Sequence, residues 1–236
     1  MIRMKNIILI GASRAGKSTF TKLLNERFNI MIIRTDLLRL AFRDTIYKDK
    51  DISLSEVKSN PDYISYVLNY YKYANMYDVD YMKVVDTVDF EPKDCSNFEN
   101  SITICFGYPN ITKEEVVDNW RKYDTELDWT RYKSDEKLLH CAEYEIKNSQ
   151  DLKEECEKYN IKFVDTSYNR EKVLNELLDY VTEKIKISMG KSVNNSGNNR
   201  CIFGKHRIGR RYYEKTSPKS QADAAGRGAH HRFGGA

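Results

Sequence analysis

Residues 7–18 read Ile7-Ile8-Leu9-Ile10-Gly11-Ala12-Ser13-Arg14-Ala15-Gly16-Lys17-Ser18. An apolar run of strand length thus enters the pattern Gly-x-x-x-x-Gly-Lys-Ser. Gly11 lets the chain turn off the strand, and Gly16 lets the backbone curl until successive N–H groups point inward. Those amides, with the positive end of the following helix, make a nest for an anion. Lys17 is spaced to reach β- and γ-phosphates, and Ser18 to give its hydroxyl to Mg²⁺. Ala12, Ser13, Arg14, Ala15 and Thr19 complete the backbone that wraps the phosphates. Phe20, Leu23, Leu24 and Phe28 fall on one helical face, so an amphipathic helix follows. A strand-to-helix turn without a ligand needs the glycines but not Lys17 and Ser18 in that register. The stretch is a P-loop, and it points to ATP with Mg²⁺.

Strands and helices alternate outward from it. Ile30–Ile33, Met82–Asp86, Ser101–Phe106 and Ile161–Asp165 are apolar runs of strand length. Helical spacing marks Leu37 to Ile46, and Asn169 to Ile187 with its stripe Val173, Leu174, Leu177, Leu178 and Val181. Thr112 opens a helix to about Tyr123, with Glu115 at the capping-box position. Ser134 to Asn148 reads as one helix and Leu152 to Tyr159 as its continuation. After Pro61, the residues Tyr63, Tyr66, Tyr70 and Tyr73 recur at helical spacing and predict a packed tyrosine face within 60–80. Five strands with helical connections predict a three-layer α/β fold around a five-stranded parallel sheet. No internal repeat is visible.

Eight of the eleven glycines lie at or after Gly190. Residues 190–236 also hold ten Lys/Arg against two acids, a net +8, which leaves 29 against 33, or −4, for residues 1–189. The chain therefore reads as one domain, 1–189, followed by a basic tail, 190–236, of disordered composition. Binding of nucleic acid is expected only through that tail. The five cysteines, Cys95, Cys105, Cys141, Cys156 and Cys201, show no metal-ligand spacing and suit reduced thiols in the cytoplasm. No apolar run reaches membrane-spanning length. The basic Met1–Asn6 and the short run behind it do not read as a signal peptide.

Acids at the ends of neighbouring strands supply the rest of the site. Asp86 ends the run Met82–Asp86 and is the candidate for the Mg²⁺ shell, with Asp89 just beyond as an acceptor-side group or a turn residue. Asp36 follows the second strand, and ligands of α/β sheets collect beyond strand carboxyl ends. Asp36 is placed to orient or deprotonate an acceptor hydroxyl, or else to cap a helix. Arg39, one turn on, is placed to clamp an anionic acceptor.

On the P-loop, Asp36, Asp86 and the segment Phe163-Val164-Asp165-Thr166-Ser167, residues 5–187 resemble the P-loop small-molecule kinases of the adenylate-kinase-like superfamily. The resemblance implies sheet order 2-3-1-4-5, an acceptor-binding insertion at 36–80 and a short lid at 121–136. It implies Arg121 and Arg131 as phosphate clamps, and Arg170 stacking on adenine near the Thr166–Arg170 loop. The arginine-rich lid of nucleoside monophosphate kinases is absent, and the acceptor region is longer and richer in tyrosine than in shikimate-type enzymes.

The leading expectation is ATP-dependent phosphoryl transfer to a small acceptor, a nucleotide or hydroxylated metabolite. A regulatory ATP-binding module with slow hydrolysis is a second reading, and a nucleic-acid end kinase a third. No Asn-Lys-x-Asp sequence favours GTP. Acceptor identity and oligomeric state are not written in the sequence.

Overall fold

The computed structural model describes residues 6–188, except 49, 78–80, 97, 99 and 127. The stretch read as a basic tail, and Cys201 with it, lies outside the described residues. Strands β1 (Asn6–Gly11), β2 (Met31–Arg34), β3 (Lys83–Asp86), β4 (Ser101–Gly107) and β5 (Lys162–Asp165) form one sheet. Its order is β2-β3-β1-β4-β5 and its pairings are all parallel, as the sequence predicts. Parallel strands need crossovers, and helices supply them. These are α1 (Lys17–Phe28), α2 (Thr35–Ile46), α3 (Leu54–Lys58), α4 (Pro61–Tyr77), α5 (Pro92–Cys95), α6 (Lys113–Tyr123), α7 (Asp135–Lys158) and α8 (Arg170–Ser188).

Strand β1 lies between β3 and β4, so both of its edges are paired, and helices cover both of its faces. Ile7, Ile8, Leu9 and Ile10 are each 0 % exposed. The period of two splits them between two cores. Ile7 and Leu9 meet Phe20 and Leu24 of α1, Trp120 of α6 and Leu177 of α8. Ile8 and Ile10 meet Tyr63 and Val67 of α4, Val85 of β3 and Cys105 of β4. Each such side chain contributes roughly 2–3 kcal/mol by leaving water. The register pairs Leu9 with Asp86, Arg34 with Asp86, and Gly11 with Phe106. Strand carboxyl ends, and the residues just after them, are thereby gathered along one edge.

Two local expectations change. Helix α4 buries Tyr63, Val67, Tyr71 and Ala74, while Tyr66, Tyr70 and Tyr73 are exposed. A step of about 100° per residue sets the two stripes side by side, and the one carrying valine and alanine packs. The helical runs read at Ser134–Asn148 and, as its continuation, Leu152–Tyr159 are joined in one element, α7, as expected. No Gly or Pro interrupts them, and the buried Ser149 donates its hydroxyl to the Glu145 carbonyl at 2.8 Å, keeping its polar group within the helix. Helix α2 starts at Thr35, so Asp36 sits in its first turn and Arg34 holds the cap position. The Thr112–Glu115 capping box of α6 is present as expected.

Gly11 has φ +117°, and a Cβ on it would lie 2.0 Å from the Phe106 carbonyl oxygen. Gly16 has φ +103°, but a Cβ there would meet nothing nearer than Arg170 Cδ at 3.6 Å. Gly11→Ala should therefore cost about 3 kcal/mol or more, through a backbone clash, and Gly16→Ala only about 1–2 kcal/mol, through its dihedral alone. Urea denaturation of the two variants checks the order; a milder Gly11→Ala would refute the steric account.

Candidate functional site

The turn out of β1 is pinned to its neighbour. Ala12 N–H donates to the Phe106 carbonyl at 2.9 Å. Arg14 takes φ 58° and Gly16 φ 103°, which curls the loop before α1 opens at Lys17. No side chain caps that helix, so its first amides and its positive end face the loop. Lys17 is buried, and its ammonium donates to the carbonyls of Gly11 at 3.0 Å and Ala12 at 2.7 Å. Burial pulls its pKa down, against the raising fields of Asp86, Glu145 and Asp36.

Ser18 donates its hydroxyl to Asp86 Oδ2 at 2.7 Å. A hydroxyl beside one carboxylate is an oxygen donor set that suits Mg²⁺, which fills its other positions with water and phosphate. Among the described residues no group of three or more His, Cys, Asp or Glu is arranged to hold a metal by itself. The pair fits an ion shared with a phosphate chain and does not fit a self-contained protein cage.

The acceptor-side residues of the sequence reading come together. Arg39 contacts Asp36 Oδ1 at 2.5 Å and Asp89 Oδ1 at 3.2 Å. The Asp89 side chain is fully buried, with its backbone N–H donating to Thr87 Oγ1 at 2.9 Å. The Tyr63 hydroxyl lies 2.8 Å from Asp89 Oδ2 and 3.1 Å from the Thr35 carbonyl oxygen. Burial, then the Asp89 charge, pushes the Tyr63 phenol well above its ordinary value, so it stays a donor. Arg39 is thus not the free anion clamp that spacing suggested: two carboxylates already share its guanidinium. Its buried Nε has no hydrogen-bond partner. Asp36 stands at the mouth of this group, largely exposed. Partial desolvation, with Asp89 and Asp86 adding to it, still raises its carboxyl above the usual range, while Arg39 opposes that rise.

At the other end, Arg170 opens α8 beside Gly16, and its guanidinium lies over the Tyr123 ring at 5.9 Å. Thr166 ties this loop to the P-loop through a 3.0 Å bond to the Ala15 carbonyl. A cavity of about 750 Å³ opens here, lined by Asn119, Tyr123, Ser167, Asn169 and Arg170 among others.

The segment 121–136 is held down. Arg121 donates to the carbonyls of Thr130, Arg131 and Lys133 and pairs with Asp135 at 2.6 Å. Arg131 is exposed. In this structure Arg121 closes its own loop, and Arg14 is the arginine of the P-loop that reaches across to this segment. It pairs with Asp124 and Asp128, each at 2.9 Å, and donates to the Trp120 carbonyl at 3.2 Å. These partners, Tyr63, and Glu145, which accepts from Ser13 N–H at 3.2 Å, were not legible in the sequence. Their contacts span from 26 to 132 residues.

No family model matches the chain, and no curated protein does. Among solved structures, a shikimate kinase from Bacteroides thetaiotaomicron is similar over 76 % of this chain and 99 % of its own, at 13 % identity and a TM-score of 0.50. The fold is that of the P-loop small-molecule kinases. A gluconokinase from Sinorhizobium meliloti 1021 (11 % identity, TM-score 0.47, 80 % of this chain and 97 % of its own) also matches. So does a dephospho-CoA kinase from Campylobacter jejuni (13 %, 0.42, 78 % and 98 %). At these identities the likeness extends to the kinase fold alone. No helix among the described residues is long and apolar enough to cross a membrane.

Arg14→Ala leaves Asp124, whose side chain is only 6 % exposed, without its nearest cation. A loss of about 2 kcal/mol is expected, because the buried carboxylate keeps only the more distant Arg121, at 4.0 Å, as its cation. Hydrogen exchange should quicken across residues 124–131 first, and unchanged protection there would disprove the anchoring role.

Proposed function

We propose that this chain is an ATP- and Mg²⁺-dependent phosphotransferase acting on a hydroxyl of a small molecule. One observation carries the reading: the P-loop, the Ser18–Asp86 pair and the Asp36–Arg39–Asp89 group converge at the carboxyl ends of β1, β2 and β3. Gly11 to Thr19 hold the phosphates. Lys17 exchanges its backbone carbonyls for β- and γ-oxygens. Ser18 and Asp86 hold Mg²⁺, which supplies charge neutralisation on the phosphate chain. Arg170 and Tyr123 flank the pocket for the base.

Asp36, ionised, accepts the proton of the acceptor hydroxyl. Its raised pKa makes it a better base than an ordinary aspartate at neutral pH. Arg39 fixes the orientation of Asp36 against buried Asp89, and Tyr63 fixes Asp89. An acceptor carrying its own carboxylate would have to displace one of these acids from Arg39, so a neutral polyhydroxylated acceptor fits better. Residues 36–80 form the acceptor wall. Segment 121–136, with Arg121 and Arg131, is the cover, and those two arginines turn inward only if the loop rearranges. The described cysteines are free thiols, as suits the reducing cytoplasm.

Nucleotide binding and turnover separate the roles. Lys17→Ala should abolish turnover and weaken ATP binding, and Asp86→Ala should raise the Mg²⁺ concentration needed. Asp36→Asn should lower kcat by about 100-fold or more and leave ATP affinity within about threefold. Since Asp36 must be ionised to act and its pKa is raised, kcat/KM should fall on the acid side at a pH above the ordinary aspartate range. That limb should vanish in Asp36→Asn. Full turnover in Asp36→Asn, with acceptors drawn from a broad metabolite panel, would remove it as the base. Hydrolysis of ATP with no acceptor phosphorylated would favour the slow-ATPase module instead.

A further inference from the structure

The phosphate nest already holds an anion of the protein's own. Glu145, midway along α7, accepts a hydrogen bond from Ser13 N–H through Oε2 at 3.2 Å. Asn148 Nδ2 donates to the same oxygen at 3.2 Å and fixes the carboxylate from its own helix. Ser13 stands next to Gly11 and Ala12, whose carbonyls hold the Lys17 ammonium. That ammonium is the group spaced to reach β- and γ-phosphates, so the Ser13 amide lies at the terminal-phosphate end of the loop. Glu145 is close enough to contribute to the field on Lys17 and on Tyr108, whose hydroxyl donates to the Ser13 carbonyl at 2.9 Å. The rest of the machinery does not call for a carboxylate here. Metal binding is served by Ser18 and Asp86, and proton acceptance by Asp36. A fixed negative charge beside a terminal phosphate opposes its arrival.

We infer that Glu145 discriminates between nucleotides by the length of their phosphate chains. Its carboxylate occupies the Ser13 amide in the nucleotide-free protein and must leave before a γ-phosphate takes that place. A nucleoside diphosphate, which ends short of Ser13, leaves Glu145 where it is. The device rests on the nucleotide-site reading above and adds to it a preference. Glu145 weakens triphosphate binding and eases departure of the charged nucleotide, without touching the diphosphate.

Calorimetric titration of the full chain with ADP and with the non-hydrolysable triphosphate AMPPNP, each with Mg²⁺, tests it. Glu145→Gln keeps an acceptor for Ser13 but drops the charge, and Glu145→Ala drops both. Both variants should bind AMPPNP about tenfold more tightly than wild type, with ADP affinity within about twofold, as loss of one repulsive charge at close range implies. Melting temperatures are recorded in parallel. Equal shifts for the two nucleotides, no shift, or weaker AMPPNP binding would each overturn the assignment. So would a lowered melting temperature with both nucleotides weakened, which marks Glu145 as a strut between α7 and the P-loop. Failure of every form to bind either nucleotide would instead bring down the nucleotide site itself, and this inference with it.

Discussion

Everything at the site depends on how closely the end of β1 passes β4. Gly11 runs so near the Phe106 carbonyl that no side-chain carbon fits between them, and the next amide bonds to that same carbonyl. This approach is possible because β1 is an interior strand, gripped on both edges and covered on both faces. A strand held so firmly can force its last residue into a left-handed conformation that glycine alone tolerates cheaply. The turn that results aims the loop amides and the first turn of α1 at one point. Core packing and the shape of the loop are therefore two outcomes of one geometric constraint.

Charge is distributed around that point with little slack. Lys17 is buried and leans on backbone carbonyls; Arg39 lies between two carboxylates; Arg14 lies between two others, Asp124 and Asp128. Each cation is paired inside the protein and has to trade a partner to meet a ligand. Such a site responds to what enters it, because every new contact releases an old one. The acids do the same in reverse: Ser18 holds Asp86, and Tyr63 with Arg39 holds Asp89. Exchange among fixed dipoles and charges is the kind of stabilisation that the proposed phosphoryl transfer would draw on.

Much of this was open to sequence reading, and the reasons are local. Gly11, Gly16, Lys17 and Ser18 lie within eight residues of one turn, so spacing alone carries their geometry. The Thr112–Glu115 box works within one helical turn. Asp36, Asp86 and Asp89 announce themselves by following apolar runs. Where two readings were equally local, the sequence could mislead. The tyrosines of α4 and its valine-alanine stripe sit on adjoining faces, and only the sheet beneath selects which one packs.

By itself the sequence determined the phosphate turn, the five strands and their helical connections, and the acids at the strand ends, since each depends on neighbours within a few residues. Tertiary structure alone decided who partners whom. It gave Arg39 a second aspartate, Asp89, beside its helix neighbour Asp36, and it gave Arg14 to Asp124 and Asp128, Tyr63 to Asp89 and Glu145 to the mouth of the nest. Those pairings join segments as far as 132 residues apart. Hydropathy and spacing describe each segment along its own axis, whereas a charge finds its partner only after the sheet order and helix rotation have brought distant side chains together.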